Sequence, residues 1–263
     1  MGTSKSYDSP KWPGVNDQVG DAVSDVFPTR DKVTSAVGAF AGAYKQFINA
    51  GTTGRAGAVT GGTSSAGRTV GGRGGGGGAT ARTRAATSGA RLGHFLSSAA
   101  STGLTYAVTQ LGLGDLKGRP LDEVLDAVLD RLCEAGGLLD DSALTEAMAR
   151  TLDELSEDAE TVEEFNKLLS VRADNLEEYL QIYFANVLAI NFEQKEAAFV
   201  REKISREGCD RFFQEARELI RTLVNEELSQ ERDLGSIDWN SPEAISIADE
   251  INQEVLDILI GHE

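Results

Sequence analysis

Residues 121–132 read LDEVLDAVLDRL, and this stretch decides the fold class. Its apolar residues recur every three or four positions, at Leu121, Val124, Leu125, Val128, Leu129 and Leu132. That spacing places them on one face of an α-helix, because a helix completes a turn in about 3.6 residues. Most of the other positions are charged, so the helix has one face to bury and one face for water. The sequence therefore predicts a helix that packs against other elements through a single side.

The same period continues on both sides of this stretch, from residue 91 to the C-terminus. Apolar positions with helical spacing recur over residues 92–111, 144–152, 176–199, 209–228 and 245–259. Thr161 and the run Ser241-Pro242-Glu243 are typical of helix starts, and no stretch alternates apolar and polar residues as a strand does. We predict an all-α fold, with a compact helical bundle of about six or seven helices preceded by a flexible Gly/Arg-rich arm that contains one or two short helices.

The first 90 residues differ in composition from the rest of the chain. Two helical patterns rich in small residues predict short helices, which would dock on the body or on a partner because they are marginal alone. Of the 29 glycines, 13 lie between Gly51 and Gly78, where ordering would cost much backbone entropy. We predict four regions: a disordered N-terminal motif at 1–14, docking helices at 15–50, a flexible Gly/Arg-rich linker at 51–90 and an acidic all-helical domain at 91–263.

The net charge of −17 is divided unevenly along the chain. Residues 1–114 contain 11 Lys and Arg against 5 Asp and Glu, whereas residues 115–263 contain 14 against 37. The basic segment can dock on the acidic body of its own chain or bind a separate acidic partner, and the sequence leaves both open. Its arginines also fit a nucleic-acid-binding accessory protein. We do not expect the isolated chain to bind nucleic acid, because residues 51–90 have no aromatic side chain to stack bases and the body repels phosphate.

The sequence lacks the residue patterns of common catalytic and metal sites. The two histidines, His94 and His262, are far apart in the chain, and Cys133 and Cys209 do not form a C-x-x-C pair. No P-loop pattern is present. We predict no catalytic residue, no metal site and no cofactor. No apolar run reaches the length of a membrane span, so we expect a cytoplasmic protein with reduced thiols and no membrane contact.

The N-terminal run MGTSKSY, residues 1–7, offers a reactive group. Gly2 is small enough to permit removal of Met1, which leaves a glycine α-amine. The pKa of such an amine is about 8, so part of the population is an unprotonated nucleophile at neutral pH. The run also matches the M-G-x-x-x-[ST] pattern for N-myristoylation, which operates only in a eukaryotic host.

Three motifs resemble a known family. They are the MGTS-x-SY opening of a Gly/Arg-rich arm, the run LGLGDLKGRP at 111–120 with the acidic helix after it, and Asp238-Trp239 followed by ADEI at 248–251. Together they are similar to QatB, the B component of the bacterial Qat anti-phage defence system. The resemblance covers the N-terminal motif and most of the body. The family usually continues Ser-Tyr with Gly-Gly-Pro, where this chain has Asp8-Ser9-Pro10.

The resemblance implies both partners and a role. The partners are a P-loop ATPase, an enzyme similar to 7-cyano-7-deazaguanine synthase (QueC-like) and a TatD-like nuclease, all from the same operon. The implied role is that of a non-enzymatic scaffold and protein substrate, whose Gly2 amine is conjugated to a deazaguanine base by the synthase-like partner. The synthase-like partner would then recognise Thr3, Ser4, Ser6 and Tyr7. The alternative function is a nucleic-acid-binding accessory protein that uses the Arg-Gly arm.

Overall fold

A computed structural model describes residues 14–24, 28–49, 77–114, 118–134, 142–171, 175–227, 232, 234 and 237–262. Within these residues the chain forms ten α-helices and no strand, so the predicted all-α bundle is confirmed. In chain order the helices are α1 (Val15–Ala22), α2 (Arg30–Asn49), α3 (Gly77–Thr102), α4 (Leu104–Gln110), α5 (Leu121–Glu134), α6 (Ser142–Ser156), α7 (Val162–Val171), α8 (Leu176–Lys203), α9 (Arg206–Glu227) and α10 (Pro242–Ile260).

Helix α8 lies at the centre of the bundle. It contacts α6 and α9, α3 and α10, and also α1 and α2. Its sequence explains this position, because residues 179–190 are buried almost without interruption and include two tyrosines and a phenylalanine. A helix that is apolar on all sides must be covered on all sides. These six helices therefore pack around α8, whereas α4 and α7 pack against α3, and α5 packs against α3 and α6.

Helices α1 and α2 dock on the body of the same chain. Helix α1 packs against α2 and α8, and α2 packs against α3, α9 and α10. The ring of Phe40 on α2 lies 5.0 Å from the ring of Phe192 on α8, measured between centroids. Lys45 on α2 forms an ion pair with Asp257 on α10. Of the two alternatives that the charge pattern left open, docking on the chain's own acidic body is the one observed for these helices.

Helix α3 begins at Gly77, earlier than the boundary at residue 91 that the composition suggested. The predicted flexible linker included residues 77–90, but Ser88, Ala85, Ala86 and Ala90 of this stretch are buried. Arg82 Nε donates a hydrogen bond of 2.7 Å to Asp249 Oδ1 on α10. Small residues carry no apolar stripe that a sequence pattern can reveal, yet they allow close helix packing. Residues 51–76 of the predicted linker lie outside the described residues.

The predicted helix over 92–111 is two helices in the structure. Helix α3 ends at Thr102, and Gly103 follows with a φ of +95°, a backbone conformation that favours glycine. Helix α4 then starts at Leu104, whose backbone N–H donates to Asn166 Oδ1 on α7 at 2.6 Å. The side chain of a neighbouring helix thus satisfies one of the first N–H groups of α4.

The two predicted helix starts are confirmed. Thr161 Oγ1 accepts a hydrogen bond of 3.2 Å from the N–H of Glu164, and Glu164 Oε2 accepts one of 3.2 Å from the N–H of Thr161. This reciprocal pair is a capping box. Ser241 Oγ accepts from the N–H of Ala244 at 3.4 Å, with Pro242 in the first turn of α10.

Two glycines inside α3 allow aromatic side chains to approach the helix backbone. A Cβ atom on Gly93 would lie 2.5 Å from Cε3 of Trp239, and one on Gly89 would lie 2.6 Å from Cζ of Phe184. Both distances are far below ordinary van der Waals contact. Glycine at these positions is therefore required by packing, although it weakens the helix itself.

A buried carboxyl group on α8 provides a test of how deeply this helix is enclosed in the bundle. Glu196 is 6% exposed, and burial raises its pKa. A raised pKa in the folded state means that the charged carboxylate costs stability at neutral pH, and that this cost disappears below the unfolded value of about 4.3. We expect Glu196→Gln to raise the Tm at pH 7 and to have a smaller effect as the pH falls towards 4.

Thermal melting followed by circular dichroism between pH 4 and pH 7.5 measures this difference. Glu202→Gln is the matched control, because Glu202 is on the same helix and exposed. We expect it to leave the Tm almost unchanged at each pH. A Glu196→Gln variant that melts lower than the parent at pH 7 would show that the carboxylate makes a favourable contact.

Candidate functional site

The predicted modification site Gly2 and the predicted recognition residues Thr3, Ser4, Ser6 and Tyr7 lie outside the described residues. The first described residue is Gly14, which immediately precedes α1. Helix α1 is held by buried apolar side chains, Val15, Val19 and Ala22. The described body therefore begins at α1, directly after the predicted N-terminal motif.

The LGLG…GRP motif forms the connection between α4 and α5. Its described residues are 111–114 and 118–120, and Gly112 and Gly118 have φ values of +81° and +82°. These left-handed conformations favour glycine over other residues. Arg131 on α5 donates from Nε to the carbonyl oxygen of Leu111 at 2.9 Å. The glycines and this arginine contact set the path of the chain at this end of the bundle.

The C-terminal motif residues have structural partners. The Trp239 side chain is 5% exposed and packs against Gly93 on α3. Its Nε1–H donates to the carbonyl oxygen of Leu234 at 3.2 Å. Asp249 pairs with Arg82 and so joins α10 to the N-terminal part of α3.

A recess of about 450 Å³ lies between these two motifs. It is lined from α3, the end of α4, α5, the turn at 239–241 and the first turn of α10. We call it the basic recess, because its described lining contains Arg91, His94 and Arg131 and no carboxylate. Its apolar wall includes Leu111 and Trp239, together with Ala90, Leu132 and Ile245.

Arg91 is the most enclosed cation of the basic recess. It is only partly exposed, and burial lowers the pKa of its guanidinium. Its Nη1 donates to the carbonyl oxygen of Leu132 on α5 at 3.5 Å. The second guanidinium, that of Arg131, is exposed at the rim and is oriented by its contact with Leu111. Two delocalised cations on a concave surface can bind phosphate or carboxylate oxygens.

A second concavity, of about 400 Å³, lies between α6, α8 and α9. Its floor is apolar, with Ile182 and Ala185, and its rim has both signs of charge. Arg221 Nη2 lies 3.2 Å from Glu154 Oε2 on this rim. Burial raises the pKa of Glu154, and the charge of Arg221 opposes that shift. Because the rim is mixed, this groove does not select a ligand by charge.

In the part of the chain that the structure describes, no group of three His, Cys, Asp or Glu side chains is placed to hold a metal ion. Cys133 and Cys209 are buried thiols that form no disulfide, and burial raises the pKa of both. Among the described helices, none is long and apolar enough to cross a membrane.

A family model of the Qat anti-phage system associated protein QatB matches residues 74–259. The chain belongs to the QatB family. It is therefore a component of an anti-phage defence system, as the sequence motifs predicted. The matched region begins close to the start of α3 at Gly77 and runs through α10 as far as Leu259. The N-terminal motif and helices α1 and α2 precede the part that matches the QatB family. No curated protein and no solved structure matches the chain.

The basic recess is not apparent from the sequence. Arg91 and His94 are neighbours on α3, but Arg131 comes from α5, and no local pattern relates the two helices. Trp239 completes the wall from a third segment. One signal was available, because the recess lies where the two internal QatB-like motifs, at 111–120 and at Asp238-Trp239, come together.

Proposed function

We propose that this chain is a non-enzymatic scaffold and protein substrate of the Qat system. The Gly2 amine is conjugated to a deazaguanine base by the QueC-like partner, and Thr3, Ser4, Ser6 and Tyr7 are the residues that the partner recognises. In that step the unprotonated amine forms an N–C bond to an electrophilic carbon of the base. The bond from that carbon to its leaving group breaks with its electron pair, and the amine nitrogen loses a proton.

The observation that carries the proposal is the anchoring of the chain directly after the motif. Val15 and Val19 are buried, so the chain is fixed to the body from the start of α1, directly after Gly14. The segment from Gly2 to Gly14 spans at most about 40 Å when fully extended. A partner docked near α1 can therefore bring Gly2 into its active site without unfolding the body.

The partners and the location follow from the same resemblance. We propose that the chain acts in the cytoplasm with a P-loop ATPase and a TatD-like nuclease besides the QueC-like enzyme. We propose the same regions at 1–14 and 15–50 as the sequence predicted. The proposed linker ends at residue 76 instead of 90, because α3 begins at Gly77. The helices α1 and α2 then connect the substrate motif to the acidic domain.

The alternative function, nucleic-acid binding through the Arg-Gly arm, has less support. Arg82 was one of the arginines available to it, but this side chain pairs with Asp249 on α10. Because Arg82 is paired in the body, the arm has one fewer arginine with which to contact phosphates.

Mass spectrometry tests the substrate role directly. When the protein is co-expressed with its operon partners, we expect the first tryptic peptide, Gly2–Lys5, to carry a mass increase. The added mass should be absent when the QueC-like partner is omitted, because no other partner would then form the N–C bond. An unmodified Gly2 in a system that still blocks phage would falsify the substrate role and leave the scaffold role alone.

A further inference from the structure

The basic recess has no part in the proposed function, yet it has the size and charge of a ligand site. Its described lining combines Arg91, His94 and Arg131 with an apolar wall that includes Leu111 and Ile245. We propose that the recess binds a small organic phosphate of nucleotide size. Arg91 and Arg131 bind the phosphate, and the organic part of the ligand covers the apolar wall.

The charged side chains in the described lining of the recess are basic, although the surrounding domain is acidic. Residues 115–263 contain 14 basic and 37 acidic residues, but the described lining of the recess includes no carboxylate. Basic side chains gathered in one concave lining favour an anionic ligand. Each guanidinium can donate charge-assisted hydrogen bonds, and a phosphate monoester offers three acceptor oxygens and a charge of about −1.5 to −2 at pH 7.

The two guanidinium groups are oriented by backbone carbonyl groups. Arg131 Nε donates to the oxygen of Leu111 at 2.9 Å, and Arg91 Nη1 donates to that of Leu132 at 3.5 Å. A guanidinium has five N–H donors, so it can hold a carbonyl and also bind phosphate oxygens. Burial lowers the pKa of Arg91, and a phosphate beside it would stabilise its charged form.

The volume and the wall of the recess favour an organic ligand over a bare ion. About 450 Å³ falls within the range of about 300–1,000 Å³ that is usual for small-molecule sites. Ile245 is 37% exposed, and a ligand with an apolar or planar part would cover it. Asn240 and Ser241 also line the recess and offer polar groups to a sugar or a base. Because separate helices and a turn surround the recess, it suits a compact ligand better than an extended acidic peptide.

Isothermal titration calorimetry on the purified full-length chain tests the proposal. The probes are the four common nucleoside monophosphates, the corresponding nucleosides, inorganic phosphate and a hexaglutamate peptide. We expect at least one monophosphate to bind, and to bind about tenfold or more tightly than its nucleoside and than inorganic phosphate. Arg91→Gln and Arg131→Gln should each weaken that binding about tenfold or more, because each removes charge-assisted hydrogen bonds.

Arg119→Gln is the matched control, because Arg119 belongs to the same connection but pairs with Glu123 outside the described lining. It should leave binding unchanged. Ile245→Glu provides a variant at an exposed position, and its added carboxylate should prevent binding without loss of folding. The proposal is overturned if no monophosphate binds, or if Arg91→Gln, Arg131→Gln and Ile245→Glu all bind as the parent does. Equal binding of inorganic phosphate, or tighter binding of hexaglutamate, overturns it as well.

Discussion

Replacing Gly2 by leucine is expected to abolish phage defence while leaving the Tm of the protein unchanged. A bulky second residue prevents removal of Met1, so the glycine amine that the proposed conjugation needs is never formed. The described helices begin at Val15, thirteen residues after Gly2, so we expect their packing to be unchanged by the substitution. Plaque assays on cells with the complete operon measure defence, and thermal melting of the purified variant measures stability.

Gly2→Ala is the matched control for this experiment. Alanine also permits removal of Met1 and leaves a primary α-amine, so we expect defence to be retained at least in part. Insertion of two residues between Met1 and Gly2 should behave like Gly2→Leu, because it displaces the amine from the motif. Full defence by both the Leu variant and the insertion would show that the amine of Gly2 is not used.

Gly93→Ala is expected to destabilise the folded chain by about 1–3 kcal/mol, the usual cost of overpacking a core. The added Cβ would lie 2.5 Å, 2.6 Å and 2.9 Å from three atoms of the Trp239 ring. The indole is rigid and 5% exposed, and its Nε1–H donates to the oxygen of Leu234. It cannot move away from α3 without losing this bond and its packing. Urea denaturation followed by circular dichroism measures the change.

Gly42→Ala is the same substitution in α2 with the opposite expected sign. The nearest side-chain atom to a Cβ on Gly42 is Cγ1 of Ile260 at 4.0 Å, so the methyl group fits. Alanine is the better helix former by about 1 kcal/mol, and we expect stabilisation of up to this amount. If Gly93→Ala proved as stable as Gly42→Ala, Trp239 could not occupy the position described for it.

Several features were determined by the sequence alone. The spacing within LDEVLDAVLDRL places Leu121, Val124, Leu125 and Val128 on one face, and all four are buried in the structure. The starts at Thr161 and Ser241 follow from side chains that cap their own helices. These features are local, because helix periodicity and capping involve residues within about four positions of each other. The three QatB-like motifs, at the N-terminus, at 111–120 and near the C-terminus, likewise indicated the family to which the chain belongs.

The tertiary structure alone decided how distant segments meet. Residues 77–90 are rich in small residues and give no apolar period, but contacts with α8 and α10 hold them in α3. Ile245, counted among the apolar face of the last helix, is instead partly exposed at the recess. Arg91, Arg131 and Trp239 form one recess although they are far apart in sequence. Contacts between distant residues depend on how whole helices pack, and a periodic pattern within one helix does not specify its neighbours.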